Sequence, residues 1–187
     1  MAKIGLRNFL FGILTEDTDG SATYGAAKKP GKAISCSVSI SNNDAKLDAD
    51  DAIAEIDTSF QTGTVTLGID DEDLETMAIL LGHDYEDGVI IRSSADAAPY
   101  VGLGRIVTKL VGGSYKYKVE FLMKVKFAEP SQEETTKSSD GVEFNTYELE
   151  GQVATLANGD WSKAEVFDTM EDAQSFLEGL FGTAPSE

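Results

Sequence analysis

Few residues of this 187-residue chain could carry chemistry, because it holds one cysteine, Cys36, and one histidine, His83. A lone cysteine excludes an intramolecular disulfide, and a lone histidine excludes multi-histidine zinc or catalytic sites. His83 directly follows Gly82, which ends a run of helical period, so its expected task is capping carbonyls rather than moving protons. Cys36 falls on the apolar side of an alternating run, where thiols are inert packing. Asp48-Ala49-Asp50-Asp51 opens like a calcium loop, but its sixth position is Ile53 instead of glycine and its twelfth is Ser59 instead of glutamate. Gly102-Leu103-Gly104 has Val107 where a dinucleotide fingerprint needs its third glycine, and it lies inside a strand pattern. There is no Gly-x-Ser-x-Gly nucleophile elbow. Nor does any pair of carboxylates come with the aromatic lining of a sugar cleft. No catalysis, metal or cofactor is expected.

Charge narrows the partners. Fifteen Lys and Arg against thirty-three Asp and Glu leave a net charge of -18, a field that repels nucleic-acid phosphates and anionic lipid. Residues 1–43 carry +2, 44–96 carry -13, 97–130 carry +4 and 131–187 carry -11, and such alternating blocks suit contact between copies. The apolar run Phe9–Leu14 is too short to span a bilayer, lies between Arg7 and Glu16-Asp17, and lacks a signal-peptide cleavage site. A soluble product made in the cytoplasm is expected.

The elements that would position these residues are mostly strands. Ile34, Cys36, Val38 and Ile40 alternate with Ser35, Ser37, Ser39 and Ser41, and Val65, Leu67 and Ile69 alternate with Thr62, Thr64 and Thr66. Residues 115–127 set Tyr115, Tyr117, Val119, Phe121, Met123, Val125 and Phe127 against Lys116, Lys118, Glu120, Lys124 and Lys126, with only Leu122 out of phase. At roughly 3.3 Å per residue this predicts a strand of about 43 Å, turned back on residues 100–111 by Gly112-Gly113-Ser114. Strand residues recur over 142–156, with Gly151 read as a bulge, and Asn158-Gly159 is read as a hairpin turn before Trp161–Phe167.

Two helices are expected. One runs from Glu72 to Leu81 behind the acids Asp70–Asp73, and one from Met170 to Phe181 behind the capping pattern Thr169-x-x-Asp172. Residues 42–58, with six acids and one lysine, and residues 129–141 fit neither period and are read as long exposed loops that need a neighbour. The whole is one domain, 1–187, mainly β and sandwich- or barrel-like, with one short helix packed on the sheets and a second over 169–181.

A set of short matches in register makes the chain resemble the major tail tube proteins of bacteriophages with long, non-contractile tails. They are Ile4-Gly5-Leu6, Thr23-Tyr24-Gly25, Lys29-Pro30-Gly31 with Ala33-Ile34-Ser35, Leu47 to Asp51, and Leu80-Leu81-Gly82-His83. Ala98-Pro99-Tyr100-Val101 with Leu103-Gly104, and Lys126-Phe127-Ala128-Glu129-Pro130-Ser131, complete the set. The resemblance covers about residues 3–155 and leaves 156–187 less recognisable.

It implies a β-sandwich-like subunit whose hexameric rings stack into a hollow virion tail tube, assembled in the host cytoplasm. DNA would transit the lumen without specific binding. Partners would be the chain itself and tail proteins such as the tape measure, tail terminator and distal tail protein, with no membrane. On that footing Asp48, Asp50, Asp51, Ile53, Glu55, Ile56, Asp57 and Phe60 are expected at the contact between subunits, against cations such as Lys28, Lys29, Lys32 or Arg105. Ser35, Ser37, Ser39, Thr64 and Thr66 are expected to face the channel, and the stripe Lys116, Lys118, Lys124 and Lys126 to face away from it. The alternative is an acidic β-sandwich module that recognises a carbohydrate or a host protein.

Overall fold

The structure, a computed structural model, describes residues 2–49, 52–70, 73–131 and 147–182, with only the backbone described for 2–4, 45–49 and 52–56. Its strands are β1 (Ala2–Thr18), β2 (Ser21–Tyr24), β3 (Ala33–Asn42), β4 (Ala45–Ala49), β5 (Ala52–Asp57) and β6 (Phe60–Ile69). Helix α1 (Leu74–Leu81) precedes β7 (Asp84–Glu86), β8 (Val89–Ile91), β9 (Val101–Val111) and β10 (Ser114–Phe127). Then come β11 (Tyr147–Val153), β12 (Ser162–Phe167) and helix α2 (Met170–Gly179). The main sheet runs β2-β1-β9-β10-β11-β6-β3, with antiparallel pairing throughout, and β12 also pairs with β10. The chain is thus mainly β and sandwich-like, as its alternating periods imply.

The long strand β10 organises the fold. One edge pairs with β9 from Ser114 to Val125, while the other gives Tyr117–Leu122 to β12 and Val125–Phe127 to β11. Between Leu122 and Val125 the register shifts. One extra residue reverses which side chains face which way. Before the shift Val119 and Phe121 pack with Leu10, Tyr24, Ile106, Ala173 and Leu177, in the core beneath α2. After it Val125 and Phe127 pack with Phe11, Val65, Leu67, Leu149 and Met77, in the core between the sheet halves. The alternation of residues 115–127, which only Leu122 breaks, is therefore two half-strands of opposite facing, and Leu122 stands beside the shift. The lysine stripe is split with it: Lys116 and Lys118 lie on one face, Lys124 and Lys126 on the other.

A similar interruption hides β1 in the sequence. Asn8 has φ 47° and the β1–β9 register shifts between Arg7 and Leu10, so Phe9, Leu10 and Phe11 are buried in succession, Leu10 in one core and its neighbours in the other. No single period covers such a strand.

The helices start and stop for local reasons. The Asp73 carboxylate accepts the Thr76 N–H at 3.2 Å, and Thr169 Oγ1 accepts the Asp172 N–H at 3.1 Å, each satisfying a donor that the first turn leaves unpaired. Helix α1 ends at Gly82, whose φ is 77° and whose missing Cβ leaves room for the Ala97 carbonyl, so no other residue fits there. Both helices are shorter than expected, α1 beginning at Leu74 and α2 ending at Gly179.

Three other expectations are corrected. Residues 42–58 are not a loop without regular structure, because β4 and β5 pair as a hairpin. Gly151 is not a bulge: it holds a regular place opposite Val65 and Phe127, and a Cβ there would lie 2.8 Å from the Val125 methyl and 3.0 Å from the Phe127 ring. Asn158-Gly159 does turn the chain, with Gly159 at φ 88°, but the following strand joins β10 instead of β11. Beyond Ser131, the stretch 129–141 lies outside the described residues.

Candidate functional site

The hydroxyl residues come together as a surface. Ser35, Ser37 and Ser39 on β3 are exposed, and register places Ser37 beside Thr66 and Ser39 beside Thr64, both half-buried. The same rows continue onto β11, where Glu150 lies opposite Thr66, Gln152 opposite Thr64, and Glu148 opposite Gly68. Lys126 then lies opposite Gln152 at the β10 border of this face. The face is thus a hydroxyl sheet edged by two carboxylates, and of the two lysines on this side of β10 it is Lys126 that borders it. That lysine, like Lys124, lies over the Tyr100 ring, 5.4 Å from its centroid. The other three are ion-paired: Lys116 with Asp168, Lys118 with Glu120, and Lys124 with Asp17 at 2.5 Å.

Strand β3 also ends the sheet. Its ten residues, Ala-Ile-Ser-Cys-Ser-Val-Ser-Ile-Ser-Asn, include no charge and no proline, and no strand among the described residues pairs with its outer edge. Ile34 and Ile40 are 55 % and 37 % exposed on it. Proteins usually blunt such an edge with lysine, proline or a bulge.

Behind β3 lies a cavity of about 300 Å³ lined by Phe9, Val38, Leu103, Leu122, Trp161 and the ion pair of Arg105 with Glu120. Arg105 Nε and Nη2 donate to one Glu120 oxygen at 2.9 and 2.6 Å, while Nη1 reaches the Cys36 sulfur at 2.8 Å and its carbonyl at 3.3 Å. Burial pushes the Cys36 thiol pKa up, and Arg105 only partly offsets this, so the residue packs as its alternation implies. Tyr24, which donates to the Met123 carbonyl at 2.8 Å, has its pKa pushed up to about 12 by burial and by Asp17.

The expected contact residues that the structure describes lie along the β4–β5 hairpin and at the start of β6. Asp57 accepts the Ser59 N–H at 2.9 Å and lies 3.4 Å from the Asn43 amide, which holds its carboxyl below the usual range and ties it to its own hairpin base. Phe60 stacks on Trp161, centroids 4.8 Å apart, so its ring is engaged within the subunit. The backbone of Asp48, Ile53, Glu55 and Ile56 lies in the β4–β5 hairpin, while Asp50 and Asp51 fall outside the described residues.

At His83 sequence reasoning found the carbonyl cap and missed the ring. Its backbone N–H does cap the Ala78 carbonyl at 2.9 Å, but its ring bridges Asp96 and Glu129 at 2.6 and 2.8 Å, beside a depression of about 390 Å³. Sequence spacing carried no signal of this, since the partners lie 13 and 46 residues away.

Among the described residues no group of three or more His, Cys, Asp or Glu is placed to hold a metal, and no helix is long and apolar enough to cross a membrane. The sequence matches no protein-family model and no curated protein.

Proposed function

We propose that the chain is a self-assembling structural subunit of a bacteriophage tail tube, stacking as hexameric rings around a channel that conducts DNA. The observation that carries this reading is the outer edge of β3: ten uncharged residues that pair with β6 on one side and with no strand among the described residues on the other, beside a hydroxyl face, in a protein of net charge -18. A free edge of that length offers a ladder of hydrogen bonds to another copy. Heterologous contact between unlike edges, such as β3 and β2 or β12, closes into a ring or propagates as a filament. The hydroxyl face suits a channel wall, because Ser35, Ser37, Ser39, Thr64 and Thr66 with Glu148 and Glu150 give phosphates little to pair with beyond Lys126 at the border, which lies over the Tyr100 ring. Such a subunit belongs to the virion tail, is assembled in the host cytoplasm, contacts the tape measure, tail terminator and distal tail protein, and performs no catalysis.

The test is assembly. Concentrated protein should form rings or tubes by electron microscopy, and Ile34→Lys with Ser37→Lys on the β3 edge should abolish them while leaving the monomer folded. Strict monomer at high concentration, with no tubes, would favour the second reading, an acidic module that takes a carbohydrate or host-protein segment in the cavity beside Trp161.

A further inference from the structure

The only histidine sits where three segments distant in sequence meet. His83 follows the end of α1, Asp96 lies in the connection from β8 to β9, and Glu129 lies just past β10. Nδ1 is 2.6 Å from Asp96 Oδ2 and Nε2 is 2.8 Å from Glu129 Oε2. The His83 side chain is only 8 % exposed, against 15 % for Asp96 and 47 % for Glu129. An ionised carboxylate can only accept, and a neutral imidazole has one N–H, so both contacts together require the doubly protonated ring. We propose that His83 is a protonation-controlled clasp: as an imidazolium it ties residues 84–99 and the end of β10 to helix α1, and on losing a proton it keeps Asp96 and releases Glu129.

Geometry decides which partner is kept. Asp96 is nearer, more buried, and fixed by the Ser93 N–H at 2.8 Å, so the one remaining proton stays on Nδ1. Glu129 has Arg92 Nε at 2.9 Å from its other oxygen, a cation to turn to when Nε2 presents a lone pair instead of a proton. The charged groups around the ring are Arg92 after β8, Asp96 in the connection and Glu129 after β10.

All but Arg92 are acids. Burial opposes the imidazolium, yet the hydrogen bonds and charges of Asp96 and Glu129 outweigh it and hold the His83 pKa above its ordinary 6.5. The clasp is therefore complete well below pH 6.5 and is lost as pH rises through the raised value. On the acid side Asp96, held below 3.8 first by the Ser93 amide and then by His83, keeps its charge well down. The fastening matters because the β7–β8 hairpin beyond it is largely exposed, with Tyr85, Val89 and Ile91 at 40, 59 and 61 %.

With one histidine, nitrogen-15 correlation of the imidazole resonances in dilute full-length protein titrates His83 alone, and this readout does not depend on assembly. We expect both ring nitrogens protonated well below pH 6.5 and a midpoint above 6.5. The amides of residues 128–131 should shift with the same midpoint, and their hydrogen exchange should rise several-fold above it after correction for intrinsic rates. Glu129→Gln should lower the midpoint, and His83→Gln should remove the pH dependence of those amides. A midpoint at or below 6.5, a midpoint unmoved by Glu129→Gln, or amides at 128–131 indifferent to the titration would overturn the clasp. If His83→Gln does not fold, the Glu129→Gln comparison decides alone.

Discussion

Arg105 shows how much one side chain can join. From β9 it reaches Glu120 on β10 and both the sulfur and carbonyl of Cys36 on β3, so it links the two halves of the folded sheet. The pair is 15 % and 20 % exposed, and breaking a wholly buried pair costs roughly 3–5 kcal/mol, so Glu120→Gln should cost about 2 kcal/mol, read as a lower urea midpoint at pH 7. Burial raises the Glu120 pKa, but Lys118 and Arg105 together outweigh it and the carboxyl titrates below its ordinary 4.5. Its contribution is therefore present above pH 4.5 and is lost as the pH falls through the lowered value. The stability gap between wild type and Glu120→Gln should narrow steadily below pH 4.5. A gap independent of pH would mean that shape, not charge, holds the site.

Among the elements, α2 depends most on what is absent beneath it. Gly12 and Gly102 are cross-strand partners on β1 and β9, and Gly104 follows on the same face. A Cβ at Gly12 would lie 2.6 Å from the Phe181 ring, one at Gly102 would lie 2.6 Å from Phe121, and one at Gly104 would fall inside the Leu177 methyl. The three glycines thus make the seat for α2 and its aromatic neighbours, which is the structural use of Gly102-Leu103-Gly104. Forcing a side chain into a packed site typically costs about 1–3 kcal/mol, so Gly104→Val should lower Tm and speed hydrogen exchange across α2. Leu177→Ala, which empties a fully buried position, should cost about 2–5 kcal/mol by denaturant unfolding. Gly20→Ala, where a Cβ meets nothing, is the matched control.

For the whole molecule, charge and edge compete. Copies carrying -18 repel one another, and salt shortens that repulsion to about 8 Å at physiological ionic strength. If uncharged β3 edges drive association, sedimentation velocity should show assembly rising with salt. Contacts made chiefly of opposite charges would show the reverse. The same field should keep double-stranded DNA unbound even in low salt, which fluorescence anisotropy with a labelled duplex would check. Measurable affinity would argue against a channel wall made of this face.

Local physics made several features legible in the sequence. The period of β3 and β6, the Gly112-Gly113 turn, the Thr169 cap and the Gly82 stop each depend on residues within a few positions of one another. Charge and the scarcity of cysteine and histidine are properties of composition and needed no fold. Tertiary structure decided the rest. A register shift of one residue in β10 assigned its aromatic residues to two cores and its lysines to two faces, and in the sequence only Leu122, out of phase beside the shift, marks it, because the letters go on alternating past it. Strand order decided that β3 ends the sheet among the described residues, and only the meeting of α1, the β8–β9 connection and the end of β10 put two carboxylates on one imidazole. Such contacts join residues far apart along the chain, and their energy depends on a distance in space that sequence separation does not encode.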